Sequence, residues 1–125
     1  MKKFIFLLCL VFLSFGTISR ASQYDDYFCQ IENGKISPQI IYESDKVRGI
    51  IDPNNPKEIL FYTRFHFKDL YNIHLISART LLELIIVIDE TVEKKLGWAD
   101  GFCIESKQGK FSEFYHLYIR VYRSE

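Results

Sequence analysis

One stretch of the chain has a helical period, and the segments on either side do not. From about Ser77 to Leu96, apolar residues recur at three- and four-residue steps: Leu81, Ile85, Ile88, Val92 and Leu96. Glu83, Glu90 and Lys94 fall on the other side. Ser77 suits the N-cap, Lys94 and Lys95 the last turn, and Gly97 the C-cap. Ahead of this run, "QIIYE" (39–43) and "KVRGII" (46–51) are β-prone segments joined by Ser44-Asp45, a hairpin pattern. "DPNNPK" (52–57) is turn chemistry, and the largely apolar "EILFYTRF" (58–65) reads as a central strand. After the helix, "DGFCIESK" (100–107) and "EFYHLYIRVY" (113–122) are strands around the turn "QGK". Five strands and one long helix specify an α+β domain, with the helix packed on one face of an antiparallel sheet.

The N-terminus reads differently. Lys2 and Lys3 precede the apolar run "FIFLLCLVFLSFG" (4–16), which is of signal-peptide length and short for a bilayer span. "SRA" (19–21) then offers small residues at the two positions a signal peptidase reads. We read residues 1–21 as a cleavable secretory signal and 22–125 as a single domain. An uncleaved anchor is the other reading. The expected product is secreted or periplasmic, with no membrane attachment after cleavage.

The 125 residues suffice for one domain with a core, and 48% hydrophobic with 26% charged is an ordinary globular balance. Formal net charge is zero, which argues against a nucleic-acid surface. Removing Lys2, Lys3 and Arg20 takes the basic count from 16 to 13 against 16 acidic residues, so the mature chain is mildly acidic. Cleavage also removes Cys9 and leaves Cys29 and Cys103. In an oxidising compartment these could pair; a buried free thiol is the plainer reading of Cys103.

The last strand carries the functional question. Alternation sends Tyr115, Leu117, Ile119 and Val121 to one face and His116, Tyr118, Arg120 and Tyr122 to the other. The first row suits a core. The second is a line of polar and aromatic groups that a plain structural strand does not need.

The chain resembles the histidine-triad family of nucleotide hydrolases and transferases, from about Asp26 to Tyr122. "DYFCQIENGKISPQIIYESDKVRGIIDPNNP" is similar to the family opening, where Cys-x-x-Cys precedes Lys-Ile-x-x-Gly-x-Ile and a Tyr-Glu-Asp hairpin. "ILFYTRFH" resembles the strand ending in Ile-Pro-Lys-x-His, and "YHLYIRVY" falls on His-x-His-x-His. The resemblance implies that His116 is the first triad histidine, that Tyr118 stands at the nucleophile and that Arg120 stands at the third position. A phenol with pKa near ~10 is mostly protonated at neutral pH. Arg is no acid or base there, though Arg120 could bind phosphate. The resemblance further places Asp52 at the ribose-binding aspartate, Ser112 and Glu113 at the Gln-Ser pair that holds phosphate, Glu58 at a family histidine, and Phe111 where a small residue admits phosphates.

The same resemblance implies a structural zinc site. Some bacterial members bind zinc through both opening cysteines, the histidine closing the Ile-Pro-Lys-x-His strand and the first triad histidine. Those positions are Asp26, Cys29, His66 and His116, a set zinc accepts. A Cys29–Cys103 disulfide is the rival. The family also implies a homodimer through the helix and a sheet edge. The expectation is therefore a binding or interaction module with a degenerate triad and no nucleotide hydrolysis. The alternative is an active hydrolase of nucleotides or phosphorylated metabolites.

Overall fold

The computed structural model describes residues 26–98 and 100–123. The secretory-signal reading therefore lies outside the described residues. The elements are α1 (Tyr27–Glu32), β1 (Ile40–Glu43), β2 (Val47–Asp52), β3 (Asn55–Thr63), a 3-10 segment (Leu70–Leu75), α2 (Ala78–Glu90), a wider π turn (Thr91–Lys95), β4 (Cys103–Glu105), a second 3-10 turn (Gly109–Phe111) and β5 (Tyr118–Tyr122). The strands form one sheet in the order β1-β2-β3-β5-β4, antiparallel at every pairing. The α+β architecture is as the sequence predicts.

Differences lie in the details. The strand after Asp52 begins at Asn55, inside the expected turn, because the Asp52 side chain closes a tight corner by accepting from the Asn54 N–H at 2.9 Å. β4 and β5 are shorter than predicted, and residues 113–117 lie ahead of the last strand. Gly49 sits opposite Phe61 in the β2–β3 register, and a Cβ there would come within 2.7 Å of the Phe61 ring.

Ser77 caps α2, its hydroxyl accepting from the Thr80 N–H at 3.1 Å, and Gly97 takes the left-handed conformation at φ 68°. The face the helix buries is rotated from the expected one. Thr80, Leu84, Val87 and Ile88 point inward, followed by Thr91 and Val92, while Ile85 is exposed. They meet Val47, Ile59, Phe61, Leu117, Ile119 and Val121 in one core on the α2 side of the sheet.

The opposite face has a second core, which the sequence did not predict. Phe28 and Ile31 of α1 pack on Ile50, Leu60, Tyr62 and Tyr118. Phe28 stacks on Tyr62 at 4.3 Å between ring centroids. Glu32, at the end of α1, fastens the helix down. Its carboxylate accepts from Tyr62 Oη, Arg48 Nη1 and Arg64 Nε, each at 2.7 Å. Both faces of the sheet are thus covered, which explains why the polar and aromatic row of the last strand is largely buried.

Candidate metal centre and triad strand

Asp26 has two jobs. As the N-cap of α1 it accepts from the Cys29 N–H through Oδ1 at 2.9 Å. Its Oδ2 points the other way, 3.4 Å from Cys29 Sγ, 3.1 Å from His66 Nδ1 and 3.2 Å from His116 Nδ1. Cys29 Sγ lies 3.4 Å from His66 Nδ1 and 3.8 Å from His116 Nδ1. All four candidate ligand atoms lie within 4.8 Å of one another. A tetrahedron with bonds of about 2.0–2.3 Å has edges of about 3.3–3.8 Å. The measured separations of 3.1–3.8 Å are close to that.

The chemistry of the donors agrees. The His116 Nε2–H donates to the Thr63 carbonyl at 2.5 Å, leaving the Nδ1 lone pair for the cluster. A carboxylate oxygen, a sulfur and two imidazole nitrogens then converge, which is unfavourable unless a proton or cation lies among them. Burial pushes the Asp26 carboxyl up, but the hydrogen bond and charge of His116, with the Cys29 N–H, outweigh it and hold the group below its ordinary value. These residues fit zinc. Cys29 and Cys103 are both free thiols, so the disulfide is not formed; Cys103 is half-buried rather than buried, and Cys29 is the buried one.

The other triad positions are engaged internally. Tyr118 is only 1% exposed, edge-on to the Phe114 ring at 4.9 Å. Burial, and then the charge of Glu113, push its phenol up, away from the ionised form. Arg120 is buried under three carboxylates. Nη1 donates to Asp52 Oδ2 at 2.5 Å and Glu58 Oε2 at 2.7 Å, and Nη2 donates to Glu113 Oε2 at 3.0 Å. The expectation that Arg120 could bind phosphate is thereby corrected: both terminal nitrogens already hold carboxylates. Asp52 faces Arg120, and Ser112 turns into its own loop, donating to the Phe114 carbonyl at 2.5 Å. Phe111 does not crowd the loop but stands exposed; Phe114 is the ring that packs over Tyr118.

Sequence reasoning missed Glu32, Thr63 and Phe114. A signal existed for the first: an acidic residue ahead of "YFCQIE" is an N-cap pattern, which marks α1 and so the position of Glu32. Thr63 and Phe114 act through space and had none.

No family model matches the chain. An uncharacterised HIT-like protein of Methanocaldococcus jannaschii is 29% identical over 100 residues, covering 75% of this chain and 74% of that protein. A histidine triad protein from Clostridium difficile superposes with a TM-score of 0.70 at 26% identity, over 78% of this chain and 89% of that one. A HIT family hydrolase from Clostridium thermocellum gives 0.73 at 23%, over 81% and 91%. The chain is thus a HIT-like protein, with the histidine-triad fold and His116, Tyr118 and Arg120 on the strand where the triad belongs.

Proposed function

We propose that this chain is an exported HIT-like binding module without nucleotide hydrolase activity, with α1 held to the sheet by a structural zinc ion. The observation that supports this most is the Arg120 cluster. Asp52, Glu58 and Glu113 surround one guanidinium, so the place where phosphates would gather has more negative than positive charge. A phosphate brought there meets repulsion. Tyr118 beside it is a buried, neutral phenol and a poor nucleophile at neutral pH.

Asp26, Cys29, His66 and His116 would hold the zinc. All four positions are filled by protein atoms, so the ion would supply a cross-link rather than an activated water. Thr63 orients His116, and the α1 N-cap orients Asp26. Exposed Leu82, Ile85 and Ile86 on α2 suit the helix-mediated homodimer. No helix among the described residues is long and apolar enough to cross a membrane.

The test is turnover of adenosine phosphoramidate and dinucleoside polyphosphates, alongside thermal shifts with nucleoside monophosphates, with and without zinc. No turnover and no monophosphate shift are expected. A rate that disappears in Tyr118→Phe would instead establish the hydrolase reading, in which nucleotides or phosphorylated metabolites are substrates.

A further inference from the structure

A cleft of about 340 Å³ opens between the loop after β3 and the loop before β5, bordered by Lys68, Asp69, Gly109, Lys110, Phe114 and Tyr115 among others. Neither Tyr118 nor Arg120 lines it. Its two sides are pinned together. The Leu70 N–H donates to Gln108 Oε1 at 2.7 Å, and the Tyr71 ring covers Gly109, which at φ 59° is in the left-handed region. A Cβ on Gly109 would come within 3.2 Å of that ring. The cleft is therefore built by contacts between the loops.

Its chemistry is specific. Lys68 Nζ sits 5.3 Å from the centre of the Tyr115 ring, and Lys110 Nζ sits 5.2 Å from that of Phe111. Neither ammonium is in an ion pair, whereas Lys107 nearby faces Glu105 and Glu113. The one carboxylate at the border, Asp69, is buried and accepts from the Tyr71 N–H at 3.1 Å. Around the cleft the aromatic surface is uncovered: Tyr71 is 77%, Phe111 71% and Tyr115 54% exposed. Large exposed rings beside unpaired ammonium groups mark a surface that binds something both apolar and anionic.

We propose that this cleft binds a phosphate ester carrying an apolar group, with Lys68 and Lys110 on the phosphate and Tyr115 and Phe114 against the apolar part. Two ammonium groups match the charge of a dianion. The volume is that of a small-ligand site. The ester could be a soluble phosphomonoester or a phospholipid headgroup. The assignment stands whether or not the chain hydrolyses nucleotides, because it uses none of the triad residues.

The experiment uses the mature chain and two probes. Phenyl phosphate is titrated by NMR, and vesicles of phosphatidylglycerol or of phosphatidylcholine are tested by co-sedimentation. Each is repeated with Lys68→Gln/Lys110→Gln and with Asp69→Asn. Binding of phenyl phosphate, weakened about tenfold or more in the lysine variant and strengthened in Asp69→Asn, assigns a soluble ligand. The same pattern with phosphatidylglycerol, and not phosphatidylcholine, assigns a headgroup. Both lysines are exposed, so their variant should fold, which circular dichroism checks. The proposal is overturned if neither probe binds, if the lysine variant binds as well as the wild type, or if benzyl alcohol binds as tightly as phenyl phosphate.

Discussion

The Arg120 guanidinium donates to Asp52 Oδ2 at 2.5 Å across 68 residues of sequence. This pair, with Glu58 and Glu113 beside it, closes what would be the phosphate end of the site. It also makes Arg120 the counter-charge for its own corner of the sheet.

Replacing Arg120 with Leu leaves buried Asp52 facing two other carboxylates without a cation. Breaking a buried pair from one side costs about 3–5 kcal/mol, and the partial exposure of Glu113 places this case at the lower end. Urea unfolding should show that loss, with part of it recovered in Arg120→Lys. An unchanged midpoint would mean that the carboxylates simply protonate or turn to solvent.

Two devices hold α1, and they are separable. Cys29→Ser should abolish near-stoichiometric zinc in protein purified without a histidine tag. Chelation of the wild type should strip hydrogen-exchange protection from residues 26–33 before it touches β2 and β3. Glu32→Gln should leave zinc content alone yet cost about 2 kcal/mol, since Arg48 and Arg64 lose their shared charge partner. Equal metal content in wild type and Cys29→Ser would refute the zinc site.

Alkaline pH should destabilise the fold through two buried phenols. Burial, then the hydrogen bond and charge of Glu32, push Tyr62 up; burial, then Glu113, push Tyr118 up. Tyrosine in the unfolded chain ionises near ~10. Above that pH the unfolded state has released protons that the native state retains, so stability is complete below it and falls as pH rises. Unfolding midpoints followed from neutral to strongly alkaline pH check this. Tyr62→Phe should flatten the decline, and an equal slope in that variant would assign the effect elsewhere.

The outer face of α2 should mediate pairing. Leu82, Ile85 and Ile86 are exposed, and a depression of about 400 Å³ runs beside them, between the helix and Tyr42. Leu82→Glu/Ile86→Glu should convert a dimer to a monomer in analytical ultracentrifugation, with little loss of helicity. A wild type that sediments as a monomer at high concentration would remove this interface.

Export is the remaining expectation. Intact mass of the protein recovered from its native host should correspond to a chain starting at or near Ser22. Full-length chain in the cytosol would contradict it.

The sequence by itself determined the element order, the capped start of α2 and the antiparallel α+β sheet, because caps, periods and turns are local. Its resemblance also selected Asp26, Cys29, His66 and His116, which the fold brings within 4.8 Å. The tertiary structure decided the rest. Apolar residues crowd "LLELIIVI" on more than one side, so its period could not choose between Leu81 with Ile85 and Leu84 with Val87; packing against the sheet did. A six-residue helix such as α1 is too short to be stable alone, and it stands because of Phe28, Ile31 and Glu32 contacts on distant strands. The fate of Arg120 rested on Asp52 and Glu58, which are remote in the chain and become neighbours only when β3 pairs with β5. Charge neutralisation is a matter of distance in space, and only the folded chain sets that distance.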